Sequence, residues 1–338
     1  MKSVRLLRLA QVLALLLVFA ALFASAPVPT LAQSVAVKQV KLALTSTTDS
    51  IPHKSALEFA KVAGERSGGS LKIDVFPRQF GASDEELWQH AQNGTVEIDQ
   101  VNPAYLANMD ERFNVTELPF FFASKVEARK VTTGTTLTSF YDAFVARKGV
   151  RVLGTAEVGF RHITNSKRPI RTPEDLKGLK FRTPQWKNLI TYFSAIGANP
   201  VPMAWSEVYT GLQTGTIDGQ ENALTTIWNE KVYEVQKYVS LTGHTYQLTG
   251  LVVNEAWWKS LSDDQRKALN EGMKAYQDTT NRLTDEQEVK IVGWLKEKGL
   301  QVNEADKTAF QAPAKNVWKE LMPKQQELID TILAEIKK

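Results

Sequence analysis

Arg182 ends the run Leu179-Lys180-Phe181-Arg182, whose apolar and basic residues alternate with the period of a strand buried on one face. Pro184 stops such a strand. Arg182 therefore falls near its carboxyl end, the rim where open α/β sheets meet their ligands. A guanidinium at that place is a planar fork matched to a carboxylate. The chemistry on offer is anion capture. Reaction chemistry finds less support: there is no Gly-x-Ser-x-Gly elbow, no histidine set beside a nucleophile, and no evident carboxylate pair. Asp218 and Glu221 read more simply as helix-start acids, and Gly215 and Gly219 as residues that shape a turn and a helix start. His53, His90, His162 and His244 lie far apart, with no two at metal-ligand spacing, so no metal and no cofactor is expected.

The elements around Arg182 are sharply punctuated. Before it, Thr172 is an N-cap, Pro173 takes the first helical position, Glu174 and Asp175 fill the first turn and Gly178 ends the helix. Further upstream, Val37 to Leu44 reads as a first strand, and a helix from about His53 to Arg66 is closed by Gly68-Gly69. Leu71 to Phe76 is a second strand ended by Pro77. Ser83-Asp84-Glu85-Glu86 is a capping box that opens a helix terminated by Gly94. Val96 to Asp99 begins a third strand, and Asn102-Pro103 turns the chain. Strand, helix, strand, helix, strand implies parallel pairing through crossover helices. Leu118-Pro119-Phe120-Phe121-Phe122 reads as core, Ser124 caps a helix, and a further helix reaches Arg147. Val150 to Leu153 and Leu248 to Asn254 are strands. Ser262-Asp263-Asp264-Gln265 opens one very long helix, in which Gly272 and Gly293 mark candidate bends. The tail from Glu304 gives one or two helices punctuated by Pro313 and Pro323.

The chain has 338 residues, enough for one large core or two modest ones, and 43% hydrophobic with 23% charged residues is ordinary for a globular protein. Its start is different. Lys2, Arg5 and Arg8 precede an apolar run from Leu9 to Phe23 and then small residues and prolines, the pattern of a secretory leader over residues 1–32. The run is short for a retained anchor. Pro27 directly after Ala24-Ser25-Ala26 disfavours cleavage there, so the expected cut follows Ala32. Losing three basic residues with the leader takes the net charge from +4 to +1. No basic stripe interleaved with aromatics suggests a nucleic-acid partner. The absence of cysteine excludes disulfides, thiolate metal sites and cysteine nucleophiles.

Arg182 also belongs to a longer ordered set of motifs. "GFRHITN" precedes it, "PEDLKGLKFRTP" contains it, and "GANPVPMAWSEVY" and "LQTGTIDGQEN" follow. This set resembles the substrate-binding proteins of tripartite ATP-independent periplasmic (TRAP) transporters, densely from Gly159 to His244 and more loosely over the rest of the chain after the leader. The resemblance implies an α/β, two-domain periplasmic binding protein fold, Venus-flytrap-like, with a cleft between domains and a long spine helix over about 263–298. Domain I would comprise residues 33–157 and 247–285, and domain II residues 158–246 and 286–338. The implied function is capture of a small organic acid anion, such as a C4-dicarboxylate, hydroxy acid or sugar acid, for delivery to TRAP permease membrane subunits. A periplasmic location, a monomer and one ligand per chain go with it; ligand sensing for a receptor is the alternative, and an exported enzyme a remote one.

By the same resemblance Arg182 binds the substrate carboxylate, Arg161 is a second ligand-facing arginine whose alternative is a structural ion pair with Glu157 or another acid, and Asn222 contacts ligand. His244 matches a position that contacts ligand in some members. Thr45 and Ser46, Asn102 and Tyr105 lie at strand-end loops of the first domain, and Trp186 is placed to floor the pocket. Sialic-acid-binding relatives carry an acid and an arginine where this chain has Asn102 and Tyr105, which argues against that sugar. Keto-acid binders with a metal place it by a Glu-Trp pair, where this chain has Glu221-Asn222-Ala223. Trp205, Trp228, Trp257 and Trp258 are expected to pack.

Overall fold

The computed structural model describes residues 36–337 apart from residues 82, 133–136, 138–139, 141–143 and 145–147. The leader and most of the helix expected to reach Arg147 lie outside the described residues. The order is β1 (Lys38–Leu44), α1 (Ile51–Arg66), β2 (Leu71–Pro77), α2 (Asp84–Asn93), β3 (Ile98–Gln100), α3 (Pro103–Leu106) and α4 (Lys125–Thr132). Then come β4 (Val150–Asn165), β5 (Lys180–Thr183), α5 (Lys187–Ala195), β6 (Asn199–Pro202), α6 (Trp205–Thr214), β7 (Gly219–Ala223), α7 (Leu224–Asn229) and β8 (Tyr238–Leu241). The chain closes with β9 (Tyr246–Asn254), α8 (Glu255–Lys259), α9 (Asp263–Glu297), β10 (Gln301–Glu304), α10 (Lys307–Gln311), α11 (Ala314–Leu321) and α12 (Gln326–Lys337).

Local chemistry sets these boundaries. Ser50 Oγ accepts from the His53 backbone N–H at the start of α1 (3.2 Å). The expected capping box is present at Ser83–Glu86 for α2, and Ser262–Gln265, read as the opening of the long helix, forms a second one for α9. The Thr172–Gly178 segment is a single 3-10 turn, Pro173–Leu176, rather than a full helix.

The sheet runs in the order β2-β1-β3-β9-β4-β7-β5-β6, with β8 against β4 and β10 against β8. Pairing is parallel from β1 to β2 and β3, and from β5 to β6 and β7, as crossover helices require. Between these two parallel halves run β4 and β9, antiparallel to each other over most of their length. The strand expected at Val150–Leu153 and the motif at Gly159–Asn165 are thus one 16-residue strand. Its start pairs with β9 and its end with β7 and β8, so the same backbone belongs to both halves. The register with β9 shifts between Glu157 and Gly159, where Gly159 has φ +118°, a conformation that favours glycine. That bulge lies two residues before Arg161.

Helix α9 serves both halves. Leu269, Met273 and Tyr276 pack with Phe59 of α1 and Leu42 of β1, whereas Ile291 and Leu295 pack with Val208 of α6 and Val239 of β8. At Gly272 a Cβ would stand 3.0 Å from the Phe59 carbonyl oxygen and 3.1 Å from the Ala63 Cβ, so glycine lets α1 and α9 approach. The tail departs from expectation: β10 precedes it, and it holds three helices where one or two were read. Among the described residues no helix is long and apolar enough to cross a membrane.

Candidate functional site

Between the two sheet halves lies a cavity, and among the described residues Arg182 is a cation lining it that no carboxylate pairs. Residue Arg182 is 2% exposed at the end of β5. Its Nε and Nη2 both donate to the Met203 carbonyl (3.1 and 2.7 Å), which leaves three N–H groups with no acceptor among the described residues. Among the described residues no carboxylate forms an ion pair with it, and its guanidinium lies 5.6 Å from the ring of Trp205. Burial pushes its pKa down to about 9, against the attraction of Glu221. An anion meeting this group would restore what burial costs it.

Arg161 has the same side chain and the opposite situation. Its Nε and Nη2 meet the two carboxylate oxygens of Glu221, and Nη2 also donates to the Glu221 carbonyl (2.7 Å). Its Nη1 donates to Asn222 Oδ1 (3.2 Å) and Gln247 Oε1. All five N–H donors are thereby used inside the protein. Both members of the Arg161–Glu221 pair are fully buried, which fits the structural ion pair, though with Glu221 instead of Glu157. Glu157 is held by Arg129 and by the Tyr246 hydroxyl. Burial would raise the Glu221 pKa, but the Arg161 charge and the His244 hydrogen bond bring it below the usual range.

Arg161 also decides how two amides face. Arginine only donates, so Asn222 and Gln247 must turn their oxygens toward it. Asn222 Oδ1 accepts in addition from the Ala223 backbone N–H (2.9 Å). Their NH2 groups find no partner among the described residues, and both side chains line the cavity beside Arg182. One wall therefore presents donors from a guanidinium and two oriented amides. Trp186 covers the Arg161 guanidinium at 5.2 Å.

The family model for bacterial extracellular solute-binding proteins, family 7, matches residues 42–325. The chain belongs to this family. It is 36% identical over 267 residues to the 2,3-diketo-L-gulonate-binding periplasmic protein of Escherichia coli strain K12, covering 79% of this chain and 81% of that one. A TRAP periplasmic solute-binding protein from Bordetella bronchispeptica, solved with density assigned to pantoate, superposes with a TM-score of 0.83 at 35% identity, over 87% of this chain and 98% of that one. The sugar acid binding protein of Advenella mimigardefordensis strain DPN7T, in complex with galactonate, gives 0.84 at 29% identity, over 90% and 99%. The fold is thus the two-domain α/β fold of the TRAP solute-binding proteins, and the family places the protein outside the cytoplasm.

In this family 7 protein, eight of the nine residues singled out in the sequence meet in the one cavity: Arg161, Arg182, Trp186 and Asn222 on one side, Thr45, Ser46, Asn102 and Tyr105 on the other. His244 does not reach it. Fully buried, His244 stacks on Tyr192 and hydrogen-bonds Glu221 (3.1 Å) and Thr242 (2.8 Å), where burial lowers its pKa despite Glu221. Its place is behind the Arg161–Glu221 pair. Glu221 is not a helix-start acid either, since β7 carries it, and Gly219 opens that strand. A Cβ on Gly219 would stand 2.5 Å from the Thr164 carbonyl oxygen. Trp205 and Gln247 line the cavity without having been singled out; the one was assigned to packing, the other lies just before the stretch read as a strand. Among the described residues no group of three or more metal-ligating side chains gathers.

Proposed function

We propose that this TRAP solute-binding protein captures a small carboxylate with Arg182, Asn222 and Gln247, and delivers it to a membrane permease. The observation that carries the reading is the buried Arg182 guanidinium, which among the described residues has three unpartnered N–H groups and no ion pair. Arg161 acts through others: it neutralises Glu221 and turns the two amides outward. Residues 33–157 with 247–285 and residues 158–246 with 286–338 form the two domains that close on the ligand, a population shift toward the closed form. The protein acts as a monomer and carries out no reaction, and its leader is cut after Ala32.

Titration calorimetry against a panel of small acids tests this. Arg182→Ala leaves a bound carboxylate without its cation in a dry site, a loss of roughly 3–5 kcal/mol, or about a hundred- to several-thousand-fold in affinity. Unchanged affinity in the variant would refute the assignment.

A further inference from the structure

Glu157 of β4 is an acid in the lining of a cavity read as the seat of an anion. Its side chain is 2% exposed and is held by Arg129 of α4, which is not among the described residues that line the cavity. Arg129 Nε donates to Glu157 Oε2 (2.9 Å), Nη2 donates to Oε1, and the Tyr246 hydroxyl adds a third donor at Oε2. Nη1 and Nη2 of Arg129 also donate to the two carboxylate oxygens of Asp285 on α9 (3.0 and 2.9 Å). Asp285 has a second cation in Lys125, one turn earlier on α4, which pairs with Glu288 as well (2.7 Å).

A buried carboxylate left with its charge in this wall would repel an anion on Arg182, because charges away from water are poorly screened. The two-pronged contact with Arg129 cancels that charge. Arg161 does the same for Glu221. Each of these arginines removes a repulsion, and Arg182 keeps its donors for the ligand. Loss of Arg129 would strand Glu157 alone, since Asp285 keeps Lys125.

Resting on the carboxylate reading above, we infer that Arg129 is a positioning residue for the anion site: without touching the ligand, it discharges Glu157 in the cavity wall and so lets the cavity hold a carboxylate.

Titration calorimetry of the protein with acetate, L-lactate, succinate and D-galactonate, followed by a mutant cycle on the tightest binder, decides it. Arg129→Met weakens that acid about tenfold or more, and Arg129→Lys, which keeps the charge, weakens it less. Glu157→Gln alone binds at least as tightly as the unmodified protein. The double variant Arg129→Met with Glu157→Gln returns to within about threefold of it. Because neither Glu157→Gln nor the double variant strands a buried charge, these two decide the matter even if Arg129→Met does not fold. Unchanged affinity in Arg129→Met, a double variant as weak as Arg129→Met, or a tenfold loss in Glu157→Gln overturns the inference; the last would make Glu157 a direct ligand contact. Should Arg182→Ala abolish binding while Arg129→Met leaves it intact, the carboxylate clamp stands and only the role of Arg129 falls. Should Arg182→Ala leave binding intact, or none of the four acids bind, the clamp falls and this inference with it.

Discussion

At the scale of single residues, two arginines of one cleft divide the work because their neighbours differ. Arg161 spends every donor on the protein, and Arg182 keeps three for something else. Unmet polarity elsewhere has a different consequence. Asp99 on β3 is fully buried, with no partner for either carboxylate oxygen among the described residues. Burial, with Glu97 adding repulsion and Lys41 a weaker pull, pushes its carboxyl up to about 8. An unfolded aspartate ionises near about 3.9. Between those values the folded chain holds a proton that the unfolded chain has released, so this group's support for the fold is complete at low pH and drains away as pH rises toward 8. Asp99→Asn removes that drain. Urea unfolding at pH 5 and pH 8 is expected to show a smaller loss of stability in the variant, by on the order of a few kcal/mol; equal losses in both proteins would contradict the assignment.

Elements fix what residues can do, and here the sequence was unevenly legible. Arg182 could be read because Pro184 and the Lys-Phe-Arg alternation announce a strand end. The capping boxes at Ser83 and Ser262 announced α2 and α9. β7 was hidden, because Gly219-Gln220-Glu221-Asn222-Ala223 is buried throughout yet mostly polar, and a strand satisfied by Arg161, Thr164 and His244 leaves no apolar period. Glu221 therefore looked like a helix-start acid. Gln247 was missed because β9 begins two residues earlier than its apolar run. The packing role of Gly272 was not legible, since a glycine inside a helical run announces lost propensity and not the close approach of α1. Gly272→Val forces bulk between α1 and α9 and is expected to cost about 1–3 kcal/mol. Gly293→Ala, with nothing within 4 Å of the added methyl, is expected to gain up to about 1 kcal/mol from helix propensity. Denaturant midpoints check both, and opposite signs would sink the packing argument.

For the whole molecule, contacts at the edge of the cavity bridge the two sheet halves, and Glu230, which lines it, makes them. Glu230, after α7, accepts from the backbone N–H (3.1 Å) and hydroxyl (2.9 Å) of Thr47 after β1, and pairs with Arg78 after β2 (2.8 Å). If the halves close on the ligand as proposed, these interactions form only while the halves lie together, and so favour the closed form. Glu230→Ala is expected to speed ligand release about three- to tenfold with little change in association, as stopped-flow fluorescence would record; unchanged release would remove Glu230 from closure. The central claim, that a buried, unbalanced guanidinium is the seat of a carboxylate, is met most directly by a crystal structure of the protein with an acid bound. The account predicts carboxylate oxygens on Arg182, Asn222 and Gln247, with Arg161 still held by Glu221. An acid seated on Arg161, with Arg182 turned away from it, would contradict it.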